Sequence, residues 1–398
     1  MRTDKSIREY AYTWIEHADW MPAVLSGRTR PEIMYHCSCA AGHKALWNSE
    51  FHGLPDLTVL ESIDPYLRKV GERFGNKPEY STSKVGIILP EWAEILGLPK
   101  TTFVAGSSLD AHAGAVGSGI RKNILVEVMG TSAVGMLVQD PEVLKNKNLK
   151  AICGQAEDSI LPGHIGIEAS QAAFGDIYSW FSRMIVEPMI QYVSSSDIPE
   201  ENKKSIIDGC QDKLLKLLDM KLSKLPAAQN VVSVDWFNGR RYPDINEDVK
   251  GGIYGLTLGT DYMQVYQSLV LATIYGAKRV FDSFVENGMV IDGIIAAGGI
   301  SQKSAYIMQT FSDALDREII VSGEKQTCAL GAAIYASVAA GIYRNIPEAQ
   351  DVLIGKPLTK YVPNHQRYVQ HEEMYHKYLS LGDKLETFQK QLSKGGTQ

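Results

Sequence analysis

At 398 residues the chain is long enough for two domains with separate cores, and its 44% apolar and 22% charged content is that of an ordinary globular protein. A formal net charge of -6 argues against nucleic acid as a partner. Five cysteines without paired CxxC spacing, and nine histidines without HExxH or another ligand spacing, indicate neither a disulfide framework nor a metal centre.

The first twenty residues mix charges with aromatics and contain neither the apolar core of a signal peptide nor a span, which predicts a cytoplasmic protein. Apolar spacing predicts a helix over Ile7 to Leu25, stopping at Ser26-Gly27. Segment 36 to 80 carries Gly, Pro and Asp breakers around HCSCAAGHKALW and reads as irregular chain. A short helix is expected at Trp92 to Leu96, after Pro90. From residue 121 a second domain is expected, opening with strands Ile124 to Met129 and Ala133 to Val138 around the turn Gly130-Thr131-Ser132. Further strands are expected at Ala151 to Gly154, Ile165 to Glu168, Val231 to Trp236 and Gly252 to Leu258. Tyr262 to Asn287 reads as a long helix buried along one stripe. There follow the apolar run Gly293 to Ala297, the pair Gly298-Gly299, a helix from Ser304 to Leu315, a strand Glu318 to Val321 and a helix through Leu330 to Ala340. The uncharged stretch Gln326 to Tyr343 falls short of the ~20 residues a membrane span needs and suits a tightly packed interior helix. The chain closes with a polar helix from Tyr368 to Leu392 and a flexible tail.

Three places invite chemistry. Asp110 is a lone carboxylate within GSSLDAHAGAVG, where small neighbours allow close approach of a substrate; it reads either as a positioned general base or as a turn or helix-cap residue. Gly130-Thr131-Ser132 offers backbone N–H groups and hydroxyls at a turn, either a phosphate cradle or an ordinary hairpin turn. Gly298-Gly299 lies between a strand and a helix, where ligands of α/β sheets bind; it would let an adenosine lie against backbone, flanked by Gln302 and Lys303, or is a plain connection.

Taken in order, the strings GSSLDAHAGAVGSG, VMGTSAVG, GIEASQAAFGDIYSWF, VDWFNGRRYPDINEDVKGGIYGL, AAGGISQKSAYIMQTFSDALDREI and CALGAAIYASVAAG resemble the FGGY family of carbohydrate kinases. HCSCAAGHKALW, the Glu168-Ala169-Ser170-Gln171 segment and DWFNGRR resemble its branch acting on L-ribulose in L-arabinose breakdown, with xylulose, ribitol and D-ribulose as alternative substrates. The resemblance implies an α/β, actin-like ATPase (ribonuclease H-like) fold, two domains around a cleft. Residues 1–120 would be the later part of the sugar-binding domain, 121–385 the ATP-binding domain and 386–398 a tail. It implies ATP and Mg²⁺ as cofactors and a homodimer by analogy. Asp110 then matches the catalytic base and also touches the sugar, Lys44 and Glu168 match ketose-binding positions, and Gly130 and Thr131 match a phosphate motif. Gly298, Gly299 and Lys303 match the adenosine motif, and Gly175 opens a helix where the purine packs. Arg240 could reach a phosphate but reads better as a structural ion pair. The family's initial Asp-x-Gly-Thr turn has no counterpart here. The first domain is therefore expected to be incomplete, with exposed strand edges and apolar faces, and binding without catalysis stands as the alternative to turnover.

Overall fold

A computed structural model describes residues 4–395 apart from residues 76, 145, 146, 148, 151 and 226–229. Eleven strands are found among them: β1 (Lys84–Ile87), β2 (Phe103–Ala105), β3 (Ile124–Met129), β4 (Ala133–Gln139), β5 (Gly154–Glu157), β6 (Ile165–Gln171), β7 (Val232–Val234), β8 (Gly252–Tyr254), β9 (Gly293–Ala297), β10 (Ile319–Val321) and β11 (Thr359–Tyr361). Seven form one sheet in the order β11-β10-β9-β3-β4-β6-β5, parallel where β3, β9 and β10 meet and antiparallel elsewhere.

The alternation of side chains along a strand explains why this sheet is covered on both faces. On β3 and β4, Leu125 and Leu137 enter one apolar cluster, while Val126, Met136 and Val138 enter another. The first cluster is organised by the helix Tyr262–Glu286, whose Leu269, Tyr275 and Phe284 are buried. A capping box between Asp261 and Gln264 fixes the start of that helix. The opposite face is covered by the helices Asp110–Ser118 and Thr327–Ala339 through Val116, Ile334 and Tyr335. These two lie backbone to backbone: a Cβ on Gly331 would stand 1.8 Å from the Ala113 carbonyl oxygen, and one on Gly117 2.0 Å from that of Thr327. The uncharged run of residues 326–343 is thus an interior helix, and no described helix is long and apolar enough to cross a membrane.

The front of the chain departs from the sequence expectation. Instead of one helix over Ile7 to Leu25 there are two, Lys5–Tyr10 and His17–Ser26. Tyr12, Thr13, Trp14 and Ile15 are β-branched or aromatic and gain little from helix, and the carbonyls of Ala11 and Tyr12 are instead engaged by Tyr66 and Arg73. Segment 36 to 80 is not irregular: it contains the helices Ser38–Ala45, Leu57–Ile63 and Pro65–Glu72. The residues read as breakers are caps, Asp56 accepting from the Thr58 N–H and Asp64 from that of Tyr66. A small third cluster, including Tyr35, Cys39, Val85 and Val104, holds the first of these helices, Ser38–Ala45, to the separate β1–β2 sheet. Ile87 and Phe103 of that sheet are 54% and 49% exposed, the kind of uncovered apolar surface expected of this region.

Other boundaries shift. The strand expected at Ala151 to Gly154 is β5, which begins at Gly154, and residue 151 lies outside the described residues. Strands β7 and β8 are shorter than expected. The last helix runs His365–Gly395, where a tail from residue 386 was expected, and residues 396–398 lie outside the described residues. Arg240 is buried, pairs with Asp244 and Glu386 at 2.6 Å each, and lies over the Trp236 ring, so it is structural.

Candidate active site

The predicted nucleotide residues meet in one cleft of about 820 Å³ lined by Gly130, Thr131, Gly175, Gly299 and Lys303, with Gly298 at its edge. Backbone packing assembles it. The β3–β4 turn is held on the N-terminus of the helix Gly175–Ser195: the Gly175 N–H donates to the Gly130 carbonyl at 3.0 Å, and the Phe174 N–H to that of Thr131 at 2.8 Å. A Cβ on Gly175 would stand 2.6 Å from the Gly130 oxygen. Gly298 has φ 95°, in the left-handed region, and a Cβ there would meet the Met129 carbonyl oxygen at 2.4 Å. Three backbone segments therefore converge only because glycine stands at each crossing. Lys303 is exposed at the end of the short helix Gly299–Lys303, free to point its charge at an anion. Gln302 does not flank the cleft as expected: its amide donates to the carbonyls of Ser322 and Glu324 and ties down the turn.

Sequence reasoning missed the opposite wall, built by Lys216, Asp219 and Met220 of the helix Glu200–Leu222 together with Tyr178 and Tyr266. Asp219 accepts a hydrogen bond from Ser304, the N-cap of the helix Ala305–Leu315, and burial raises its carboxyl above the usual range. The one available signal was the amphipathic pattern of residues 200–222; which turn of that helix faces the cleft is decided by tertiary packing.

The predicted sugar residues gather at the seam between the front segment and the sheet. Lys44 is exposed in the last turn of the helix Ser38–Ala45, which rests on β5 so closely that a Cβ on Gly42 would stand 2.5 Å from that of Ala156. Glu168 lies on β6 directly opposite Gly154 of β5, where a Cβ would meet the Glu168 Cγ at 2.4 Å. The edge strand thus carries glycine where the carboxylate needs room. Asp110 is exposed at the first position of its helix, with one carboxylate oxygen accepting from the Ala111 N–H at 2.8 Å. Along β6, Glu168 pairs with Met136 and Gln171 with Ala133, the residue that follows the Gly130–Ser132 turn. Glu168 therefore lies about 10 Å along the strand from the nucleotide turn.

Two histidines overlooked in the sequence bind this group together. His43 Nδ1 lies 3.5 Å from Glu168 Oε1 and His112 Nε2 3.3 Å from Glu168 Oε2, with the two rings stacked at 4.7 Å. Cys39 Sγ contacts His112 Nδ1 at 3.4 Å. No local spacing announced this cluster, because His43 and His112 lie on different helices and Glu168 on a strand. Burial opposes charge on His112, but Cys39 and Glu168 outweigh it and raise the ring to about 10. Burial and the neighbouring His112 push His43 down to about 4. Glu168 is itself partly desolvated, yet His112, His43 and Lys44 hold its carboxyl below the usual value. The site therefore presents an ionised carboxylate beside an exposed ammonium, acceptors and donors suited to a polyol.

Comparison with known proteins identifies the family and the fold. The profile of the FGGY family of carbohydrate kinases, C-terminal domain, matches residues 125–340. A ribulokinase of Vibrio parahaemolyticus is 36% identical over 388 residues, covering 96% of this chain and 67% of that protein. One from Geobacillus thermodenitrificans is 32% identical, covering 93% and 63%. The chain spans about two thirds of the length of the curated relatives it matches. Among solved structures, the xylulose kinase of Rhodospirillum rubrum superposes with a TM-score of 0.74 at 17% identity, covering 98% of this chain and 71% of that one. The Plasmodium falciparum glycerol kinase with ADP gives 0.68 at 16%, covering 91% and 65%. The architecture is accordingly the actin-like α/β fold of the sugar kinases. With its C-terminal domain profile, its relatives and its fold in agreement, the chain belongs to the FGGY family of carbohydrate kinases.

Proposed function

We propose that the protein transfers the γ-phosphoryl group of ATP to the C5 hydroxyl of L-ribulose, giving L-ribulose 5-phosphate. The observation that carries this reading is the meeting of Lys44 and Glu168 at one seam, three residues along β6 from the turn of the cleft that gathers Gly130, Thr131, Gly175, Gly299 and Lys303. Lys44 donates to sugar oxygens and Glu168 accepts from sugar hydroxyls, which orients the chain of the ketose. Asp110 takes the hydroxyl proton while the O5–P bond forms; the bond from the γ-phosphorus to the bridging oxygen breaks and ADP leaves with the electron pair. The Gly130-Thr131 turn faces the phosphates, Gly298 and Gly299 accept the flat adenosine against backbone, Lys303 pairs with an anionic oxygen, and Gly175 leaves space for the purine.

Mg²⁺ takes oxygen ligands and retains waters, and the exposed Asp110 carboxylate and Thr131 hydroxyl fit an ion held mainly by the nucleotide's phosphates. When bound, it neutralises charge on the transferring phosphoryl group. A cytoplasmic homodimer is the assembly that accompanies this reading.

The test is turnover of ATP by the purified chain with a panel of ketoses and polyols. L-Ribulose should be phosphorylated fastest; D-xylulose turned over far faster would overturn the substrate, and binding of ADP without turnover of any sugar would overturn the kinase reading for this chain.

A further inference from the structure

We propose that His43, His112 and Glu168 form a binding site for a divalent transition-metal ion such as Zn²⁺. One ligand atom from each lies within 4.8 Å of the other two. Two imidazoles and a carboxylate are the donor set of a three-ligand zinc site that leaves its fourth position open. Mixed nitrogen and oxygen donors also select against Mg²⁺, which takes oxygen and demands octahedral geometry.

Three features beyond proximity point to a ligand. First, Nε2 of His112, the atom that faces Glu168, is buried yet has no hydrogen-bond partner among the described residues, and a buried polar atom left so is costly. His112 Nε2 reaches Glu168 at ion-pair distance without hydrogen-bond alignment, an arrangement that a shared cation would complete. Second, the His112 ring is already oriented from behind. Its Nδ1 contacts Cys39 Sγ, which in turn accepts from the Leu109 N–H at 3.4 Å, so the far nitrogen is turned toward Glu168. Metal-ligating histidines characteristically have such an outer partner. Third, ring centroids 4.7 Å apart and inclined by 28° keep one nitrogen of each ring within reach of a single ion with Zn–N bonds of about 2.0–2.1 Å. The supports are rigid: the Gly42 and Gly154 contacts fix the His43 helix and the Glu168 side chain against β5.

An ion here would occupy the Glu168 oxygens. On the reading given under Proposed function, which this second step rests on, Zn²⁺ then excludes the ketose, and the kinase is inhibited by zinc in competition with sugar and not with ATP.

The full chain, freed of metal by a chelator, is titrated with Co²⁺ and followed by its visible absorption, then with Zn²⁺ by calorimetry. A single equivalent should bind with the spectrum of a low-coordinate nitrogen and oxygen site. His43→Ala and Glu168→Gln should abolish it, and Cys39→Ser should weaken it about tenfold. Metal-free thermal melting of each variant separates loss of the site from loss of fold, and His43→Gln serves if the alanine variant melts early. Equal binding by wild type and both ligand variants would overturn the site, as would a sulfur-to-metal charge-transfer band, which would place the ion on a cysteine such as Cys153. Displacement of Co²⁺ by L-ribulose supports the competition. Persistence of the ion in saturating L-ribulose would leave the metal site standing and remove Glu168 from the sugar assignment.

Discussion

The nucleotide cleft and the sugar seam are built by opposite means. The cleft is framed by strands and helices of a sheet covered on both faces, and its walls are backbone held at glycine crossings. The seam is assembled from side chains of two regions, and its front half rests on one small cluster while Tyr10, Phe51 and Ile95 remain 86%, 72% and 70% exposed. Phosphate recognition needs close backbone approach, which local glycine supplies; sugar recognition needs side chains of different chemistry, which only packing between segments brings together.

Asp110 belongs to both sides, since its helix covers the sheet while its first turn faces the seam, so its loss is expected to have the largest effect. Asp110→Asn should lower kcat about a thousandfold, about 4 kcal/mol of transition-state stabilisation, with ADP affinity unchanged. Steady-state kinetics and ADP calorimetry check this, and a variant with wild-type kcat would remove the base from Asp110.

The contact between the Asp110 helix and the helix Thr327–Ala339 comes next. Gly331→Ala places a methyl against the Ala113 carbonyl at 1.8 Å, so the helices must part. A loss of about 3 kcal/mol is expected in urea unfolding. Gly209→Ala is the control: nothing lies within 4 Å of that Cβ, and the helix should gain about 0.5–1 kcal/mol. If both variants behave alike, close helix packing is not what sets the base.

Glu127 on β3 sharpens the account of the covered sheet. Burial pushes its carboxyl up to about 8, while in the unfolded chain it titrates near its ordinary value. Between these values the native state holds a proton that the unfolded state has released, so stability falls as pH rises from about 4.5 to about 8. The loss between about pH 5 and pH 7 should be about 2–3 kcal/mol, and Glu127→Gln should remove that slope in melts taken across the range. An unchanged slope would assign the pH dependence to other groups.

The sequence carried the cleft better than the seam, for the same reason. Gly130 and Gly298 stand at turns that end short strands, which are legible locally, although the crossings that Gly298 and Gly175 permit are long-range and Gly175 was found only through the resemblance. Asp110 stood out as a lone carboxylate among small residues and Lys44 and Glu168 were found through family resemblance, but the histidines joining them were not found, because His43 on one helix meets His112 on another only after the front segment docks on β5. Asp56 and Asp64 misled in the opposite direction: the side chains that read as breakers are the caps that start helices. The fold class came from the family resemblance; the alternation of strands and helices after residue 121 is legible in the residues themselves, whereas the front segment, with short helices and little periodicity, offers no comparable pattern.

The smallest expected effect on catalysis separates the two sides most cleanly. Gly154→Ala puts a Cβ 2.4 Å from the Glu168 Cγ while leaving the β3–β4 turn and the Gly298 crossing untouched. The Glu168 side chain must swing away, breaking its contacts with His43 and His112, but the backbone of β5 can keep its register with β6. KM for the ketose should rise about tenfold, about 1.4 kcal/mol, with KM for ATP unchanged. If both KM values rise together, the seam and the cleft are mechanically one unit and the contrast between them fails; if only the sugar term moves, a single edge-strand glycine positions the carboxylate that reads the sugar.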